Sequence, residues 1–271
     1  MGARLAEGGA LNDIELLADA ARVAGEIGLS YFGKSPEVWI KGKDSPVSEA
    51  DIAIDCYLKE RLLAVRPDYG WLSEETEDSP ARLAARRLFV IDPIDGTRGF
   101  LQGTENWTVS LAIVEAGRPT EAVLFGPVVE RLYKAEAGCG ATCNDRPISP
   151  SASDLLSEGE FAIPARVSEH IQNRLCGSMS RARHIHSLAY RIALVADGGL
   201  SGTIARPSAQ DWDIAAADLI LEEAGGALLR LDGEKPLYNQ PSTRHDWLLA
   251  SGPAVRSSLK NALIEAIEEQ A

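Results

Sequence analysis

Two carboxylates bracket a proline and an isoleucine in Asp92-Pro93-Ile94-Asp95-Gly96-Thr97, directly after the apolar run Leu88-Phe89-Val90-Ile91. A strand that ends in aspartate, followed by a φ-locked proline and Asp-Gly, turns sharply and aims both carboxylates to one side. The Ile94 carbonyl between them adds a third hard oxygen. Gly96 and Thr97 offer backbone N–H groups and a hydroxyl to a phosphate. The competing reading is a plain turn. Two further acidic sites stand at element ends. Glu74-Glu75 follows a short apolar run over 69–72 through Ser73; adjacent like charges there need a partner or full solvation. Asp213, in Asp211-Trp212-Asp213, opens an apolar helix, where N-cap duty is a sufficient structural reason for it. Three acidic sites without His or Cys predict an oxygen-only metal site. Mg²⁺ is the expected ion, because it takes few carboxylates and shares its octahedron with waters and a substrate phosphate. Mn²⁺ is the expected substitute.

These groups need rigid elements to hold them. Leu16, Ala20, Val23, Ile27 and Tyr31 recur at steps of three and four, which predicts a helix over 12–32. Gly33, Ser35 and Pro36 punctuate its end. Ser48 and Asp51 have capping-box spacing for a second helix, with Ile54, Leu58, Leu62 and Val65 as its buried face and Pro67 as its stop. Strands are expected at 69–72, 88–91, 107–114, 121–125 and 131–135, with Glu115-Ala116-Gly117-Arg118 as a hairpin turn. Later strands are expected at 159–163, 202–205, 227–231 and 247–250. Later helices are expected at 188–196, 212–224 and 254–267, the second of them ended by Gly225-Gly226. Hairpins and crossovers together predict a mixed α+β and α/β sandwich of layers. An N-terminal half over 1–150, with most of the acidic sites, and a C-terminal half over 151–271, with Asp213, are expected.

Of 271 residues, 45% are hydrophobic and 25% charged, enough for a sizeable core. Twenty-seven basic and forty acidic residues give a net charge of −13. That charge repels phosphate backbones and anionic headgroups, so neither nucleic acid nor a membrane surface is an expected partner. No apolar run is long enough to span a bilayer, and 1–13 lacks the pattern of a secretory leader, so a cytoplasmic location is expected. Cys56, Cys139, Cys143 and Cys176 are too few for a disulfide framework. Cys139 and Cys143 read as parts of a glycine-rich turn between strands rather than a zinc site. His184 and His186 read as surface or capping residues. P-loop, dinucleotide and Gly-x-Ser-x-Gly signatures are absent from the sequence.

Four segments stand in one order: Ser45-Pro46-Val47-Ser48-Glu49-Ala50-Asp51, Leu72-Ser73-Glu74-Glu75, Leu88 through Thr97, and Trp212-Asp213-Ile214-Ala215-Ala216-Ala217 through Gly225-Gly226. In this the chain resembles the inositol monophosphatase superfamily of Mg²⁺-dependent, lithium-sensitive phosphomonoesterases, over nearly its whole length. The resemblance implies a layered αβαβα sandwich with the site between the two halves. It implies two or three Mg²⁺ ions, held by Glu74, Asp92, Asp95, Asp213 and the Ile94 carbonyl. Asp51 and Thr97, with Glu74, match the groups that prepare the attacking water. Gly96 and Thr97 match the phosphate-binding backbone, and Asp95 and Asp213 also face substrate. Metals then acidify water and polarise the phosphoryl oxygens, so the aspartates act as ligands rather than nucleophiles.

Members that cleave inositol monophosphate carry a glutamate seven residues before the last metal-binding aspartate; Arg206 stands there in this chain. The Ser-Pro-Val-Ser-x-Ala-Asp and Leu-Ser-Glu-Glu forms look like CysQ-type 3′(2′),5′-bisphosphate nucleotidases, whereas Thr97-Arg98-Gly99-Phe100 departs from the Thr-Lys-Glu-Phe of that branch. The expected reaction is hydrolysis of 3′-phosphoadenosine 5′-phosphate to AMP and phosphate, with Arg206 gripping the second phosphate. Inositol 1-phosphate is the alternative substrate, and an ion pair between Arg206 and Asp211 or simple exposure is the alternative role of Arg206. The expected partner is a small phosphorylated metabolite, with a homodimer also allowed. A rival of another class is a protein-interaction partner in a transcription complex, a role the superfamily is also known for.

Overall fold

The computed structural model describes residues 12–41, 45–174 and 180–269. Residues 1–11, most of the segment read for a leader, and Cys176 lie outside them. The chain begins with α1 (Asp13–Tyr31), the hairpin β1 (Val38–Lys41) and β2 (Ser45–Ser48), then α2 (Glu49–Val65). Next come β3 (Gly70–Ser73), β4 (Arg87–Asp95), the single-turn helix α3 (Thr97–Leu101), β5 (Thr108–Glu115), β6 (Arg118–Gly126), β7 (Arg131–Glu136), β8 (Ala141–Cys143) and β9 (Arg146–Pro147). The C-terminal half contains β10 (Glu160–Ala162), α4 (Ala165–Arg174), β11 (Ser180–Arg181), α5 (Leu188–Ala196) and β12 (Gly202–Ala205). It closes with α6 (Asp211–Glu223), β13 (Ala227–Arg230), β14 (Leu248–Ser251) and α7 (Arg256–Glu268).

Strands β3 to β9 lie side by side in sequence order as one sheet, parallel between β3 and β4 and antiparallel elsewhere. The second sheet has the order β11-β10-β12-β14-β13. Period-two alternation sorts the large sheet's side chains between two cores. Phe89, Ile91, Val109, Leu111 and Ile113 face Leu16, Leu17, Ile54 and Leu58 of α1 and α2. Leu88, Val90, Ala112 and Val114 face Ile192, Ala216 and Ile220 of α5 and α6. The same two helices also meet Leu228, Leu248 and Ala250 of the second sheet. Phe161, Ile204 and Leu249 on its far side meet Val167 and Ile171 of α4 and Leu259 and Leu263 of α7. The layers therefore run helix, sheet, helix, sheet, helix, the expected αβαβα sandwich.

Local chemistry explains most boundaries. Ala116 and Gly117 both take positive φ, at 50° and 78°, the two-residue hairpin geometry whose twist matches the flanking strands. At the end of α6 the Gly226 N–H reaches Leu221 O at 2.8 Å and the Gly225 N–H reaches Glu222 O at 2.9 Å. Gly225 has φ +96° there, as a Schellman stop requires. One expectation is corrected: β4 does not stop at Ile91. It continues to Asp95, pairing Asp92 with Ser110 and Asp95 with Thr108, and the register shifts between them. Pro93 is tolerated because the irregularity releases it from the ladder.

Candidate active site

The bulge at the end of β4 separates the two aspartates and sends them to different partners. Asp92 is buried, and its Oδ1 has no hydrogen-bond partner among the described residues. Asp95 accepts hydrogen bonds from Ser187 Oγ, from Ala189 N at 2.7 Å and from Leu188 N at 3.3 Å, so it caps the start of α5. Gly96 follows with φ +96°, and a Cβ there would sit 3.0 Å from Ser187 N. Only glycine allows both that left-handed turn and that close approach of α3 to α5.

Glu74 follows β3, which pairs in parallel with β4, so the ends of the two strands arrive together. Asp213 arrives from α6. It is not the N-cap expected from sequence: Gln210 occupies that position, and Asp213, at the third helical residue, accepts the Gln210 N–H at 2.8 Å. Asp211 is buried and accepts from Asn239 N at 2.9 Å, with His245 Nε2 at 2.7 Å from its other oxygen. These groups, rather than Arg206, are its partners.

Glu74, Asp92 and Asp213 each offer an oxygen within 4.8 Å of the others. Burial, the Asp213 charge and Glu75 push Glu74 up to about 8. Burial and Asp95 push Asp213 up to about 7. Asp92 is held well above the usual carboxylate range by burial and by Glu74. Lys41 is a nearby cation, but its Nζ meets the Glu74 carbonyl oxygen and lies 3.5 Å from Glu75 Oε2 rather than among the three carboxylates. Three hard oxygens, one of them orphaned and buried, in a site that raises all three of their carboxylates, fit a divalent cation.

The three open into a cleft of about 990 Å³, which Ile94, Asp95, Gly96, Thr97, Arg98 and His186 also line. Asp51 lies behind Thr97. Its Oδ2 accepts from Ser48 N at 2.8 Å and Ser48 Oγ at 2.6 Å, as the capping-box spacing predicts, and its Oδ1 lies 3.1 Å from Thr97 Oγ1. The Ile94 carbonyl is a second acceptor for the same hydroxyl at 3.0 Å.

Comparison with known proteins gives these groups their setting. The model of the inositol monophosphatase family matches residues 12–271. The chain belongs to the inositol monophosphatase family. It is 32% identical over 242 residues to inositol-1-monophosphatase of Rhizobium meliloti (strain 1021), covering 83% of this chain and 88% of that one. It is 29% identical over 230 residues to 3′(2′),5′-bisphosphate nucleotidase CysQ of Aggregatibacter actinomycetemcomitans, covering 82% and 86%. The solved structure of a Thermotoga maritima IMPase superposes with a TM-score of 0.84 at 26% identity, covering 96% of this chain and all of that one. The chain is thus a phosphatase of the inositol monophosphatase family, with related nucleotidases among its relatives.

Arg206, expected to grip substrate, is exposed past the end of β12 and does not line the cleft. Sequence reasoning passed over Arg191, in the second turn of α5, which likewise stands outside the cleft lining. This half-buried arginine donates from Nε to Ser187 O at 3.4 Å and makes no ion pair among the described residues. Burial and the charge of Arg206 hold its guanidinium below the usual value, while Asp95 acts in the opposite sense. Arg82, Arg87, Arg118 and Arg131 by contrast all pair with carboxylates. His186 is not only a surface residue: it lines the cleft, packs edge to face on His184 with centroids 4.5 Å apart, and burial, His184, Arg98 and Arg191 lower its pKa.

Proposed function

We propose that this phosphatase uses divalent cations, Mg²⁺ by preference and Mn²⁺ as a substitute, to hydrolyse a small phosphomonoester. The observation that carries the reading is the convergence of Glu74, Asp92 and Asp213, with Asp92 buried among them, on one point of the cleft wall. Those three carboxylates, with the Ile94 carbonyl and Asp95, would hold two or three ions. Bound there, the ions supply positive charge that offsets the phosphoryl oxygens and makes a coordinated water more acidic. The chain's own residues do the rest. Thr97 Oγ1 has two acceptors for its one proton, and an Ile94 carbonyl turned to an ion would leave that proton on Asp51 and the lone pairs of the hydroxyl open to the attacking water. Burial raises the Asp51 carboxyl and makes it a better proton acceptor. Water adds to phosphorus as the ester P–O bond breaks. Its proton passes by way of Thr97 towards Asp51, and solvent protonates the leaving oxygen. The Gly96 and Thr97 N–H groups, at the cleft wall, would receive the phosphate.

For the substrate we infer a 3′(2′),5′-bisphosphate nucleotide, hydrolysed to the nucleoside monophosphate and phosphate. The similarity to 3′(2′),5′-bisphosphate nucleotidase CysQ supports this, and Arg191, whose charged neighbours are Asp95 and Arg206 and which like Arg206 stands outside the cleft lining, would act on a second, non-scissile phosphate through its field. Arg206 would add long-range attraction rather than a grip. The similarity to an inositol-1-monophosphatase keeps inositol 1-phosphate as the second reading. Phosphate release from 3′-phosphoadenosine 5′-phosphate and inositol 1-phosphate, with Mg²⁺ and after chelation, tests both. Mg²⁺-dependent release with the higher kcat/KM on the nucleotide is expected. Release that survives exhaustive chelation overturns the metal reading. A preference for inositol 1-phosphate overturns the substrate, and no release from any phosphomonoester favours an interaction role in a transcription complex.

A further inference from the structure

Helix α2 touches the site at two levels. Asp51 holds Thr97, and one turn further on Asp55, buried at 7% exposure, turns towards β3 instead. Asp55 Oδ1 accepts the Ser73 hydroxyl at 2.5 Å and Oδ2 accepts the Thr76 hydroxyl at 2.8 Å. These two hydroxyl residues flank Glu74 and Glu75 on either side. Ser73 Oγ accepts the Glu75 N–H at 3.5 Å, and Thr76 Oγ1 accepts the Trp71 indole N–H at 3.1 Å. Upstream, the Glu74 N–H is tied to Ile91 O at 3.2 Å, next to Asp92. The acidic pair thus sits on a short loop pinned at both ends to one carboxylate of a packed helix.

Such pinning has an electrostatic reason. Glu74 is pushed towards Asp92 and Asp213, which repel it, and an unrestrained loop would swing the glutamate out to solvent. Two hydroxyl donors on Asp55 satisfy a buried carboxylate and fix the loop at once. We propose that Asp55 is a positioning residue that sets the angle at which Glu74 enters the metal-binding cluster, and so sets the affinity of the chain for divalent cations. The inference rests on the metal reading above.

The test is the dissociation constant for Mn²⁺, and for Mg²⁺ by competition, measured by titration calorimetry on the whole chain without substrate. Melting temperature and kcat at saturating Mg²⁺ are read alongside. Asp55→Asn and the conservative pair Ser73→Ala and Thr76→Val should each raise the dissociation constant, on the order of ten- to a hundred-fold, as loss of a group supporting a ligand does. Much of kcat should return at saturating metal, and Asp55→Glu should recover less affinity than wild type because its longer arm displaces the loop. A purely structural Asp55 would lower the melting temperature and leave the dissociation constant unchanged in all these folded variants. That result overturns the inference. If Asp55→Asn fails to fold, the hydroxyl variants decide by the same measurement. Wild-type protein that binds neither metal would instead overturn the metal reading, so the two failures are distinguishable.

Discussion

Asp51 and Thr97 are the third residue of one helix and the first residue of another, joined carboxylate to hydroxyl at 3.1 Å. The same carboxylate closes the capping box of α2, so the orientation of Thr97 depends on how that helix starts. Thr97→Ala should leave the dissociation constant for Mn²⁺ unchanged while kcat falls, on the order of a hundredfold, the scale of a lost proton-transfer group. Thr97→Ser should recover most of the rate. Steady-state kinetics at saturating metal read both, and an alanine variant with normal kcat removes Thr97 from the chemistry.

Asp213 has two duties that Asn can separate. An asparagine still accepts the Gln210 N–H, so helix capping survives, whereas the charge offered to a cation is lost. Asp213→Asn should therefore melt within a few degrees of wild type yet lose more than about a hundredfold in kcat, beyond what a merely supporting residue costs. Near-normal turnover with a lowered melting temperature would assign Asp213 to capping alone.

Proton linkage follows from the raised carboxyls. In metal-free protein Glu74 titrates at about 8 and Asp213 at about 7, both above the ~4 of an unfolded chain. The folded state therefore holds more protons than the unfolded state between these values, so stability is full below pH ~4 and falls as pH rises towards 8. Melting curves in chelator from about pH 5.5 to about pH 8.5 should show this decline. Cations bind the charged forms, so adding Mg²⁺ should restore more stability at the alkaline end and should release protons near neutrality. Calorimetry in buffers of different ionisation enthalpy measures that release. A chelated protein whose stability rises from pH 5.5 to 8.5 would contradict the prediction.

Arg191 and Arg206 differ in burial, and their substitutions should differ in effect. Arg191→Gln should raise KM for 3′-phosphoadenosine 5′-phosphate roughly three- to ten-fold, the scale of one charge lost near but outside the cleft lining, with little change for inositol 1-phosphate. Arg206→Gln, at an exposed position, should change KM by less and mainly at low salt. Equal losses on both substrates would remove the second-phosphate role from Arg191.

Much of this was legible in the chain because strong periodicity and carboxylate placement report the same layers. Helices α1 and α5 follow their apolar spacing closely, and Glu74, Asp92 and Asp213 each stand at the end of a visible element. What escaped has physical causes. In β1 every residue is exposed, with Trp39 at 42% and Ile40 at 60%, so no inward face marked it as a strand. Helix α4 buries chiefly Val167 and Ile171 within an otherwise polar segment, too thin a stripe to stand out. The single turn of α3 exists because Gly96 bends beneath Ser187, a contact between residues far apart in sequence. Arg191 looked like any polar residue of an amphipathic helix; only its burial without an ion pair among the described residues, a property of the fold, sets it apart.

Helices α5 and α6 are shared property. They form the inner wall of both sheets, and Asp95 of the first half holds down the first turn of α5 in the second. A chain cut near residue 150 would strip the large sheet of one wall and leave Leu88, Val90, Ala112 and Val114 facing water. The halves are accordingly poor candidates for exchange between relatives as independent modules. Co-expressed as fragments, they should stay soluble only together, and phosphatase activity would then report their association.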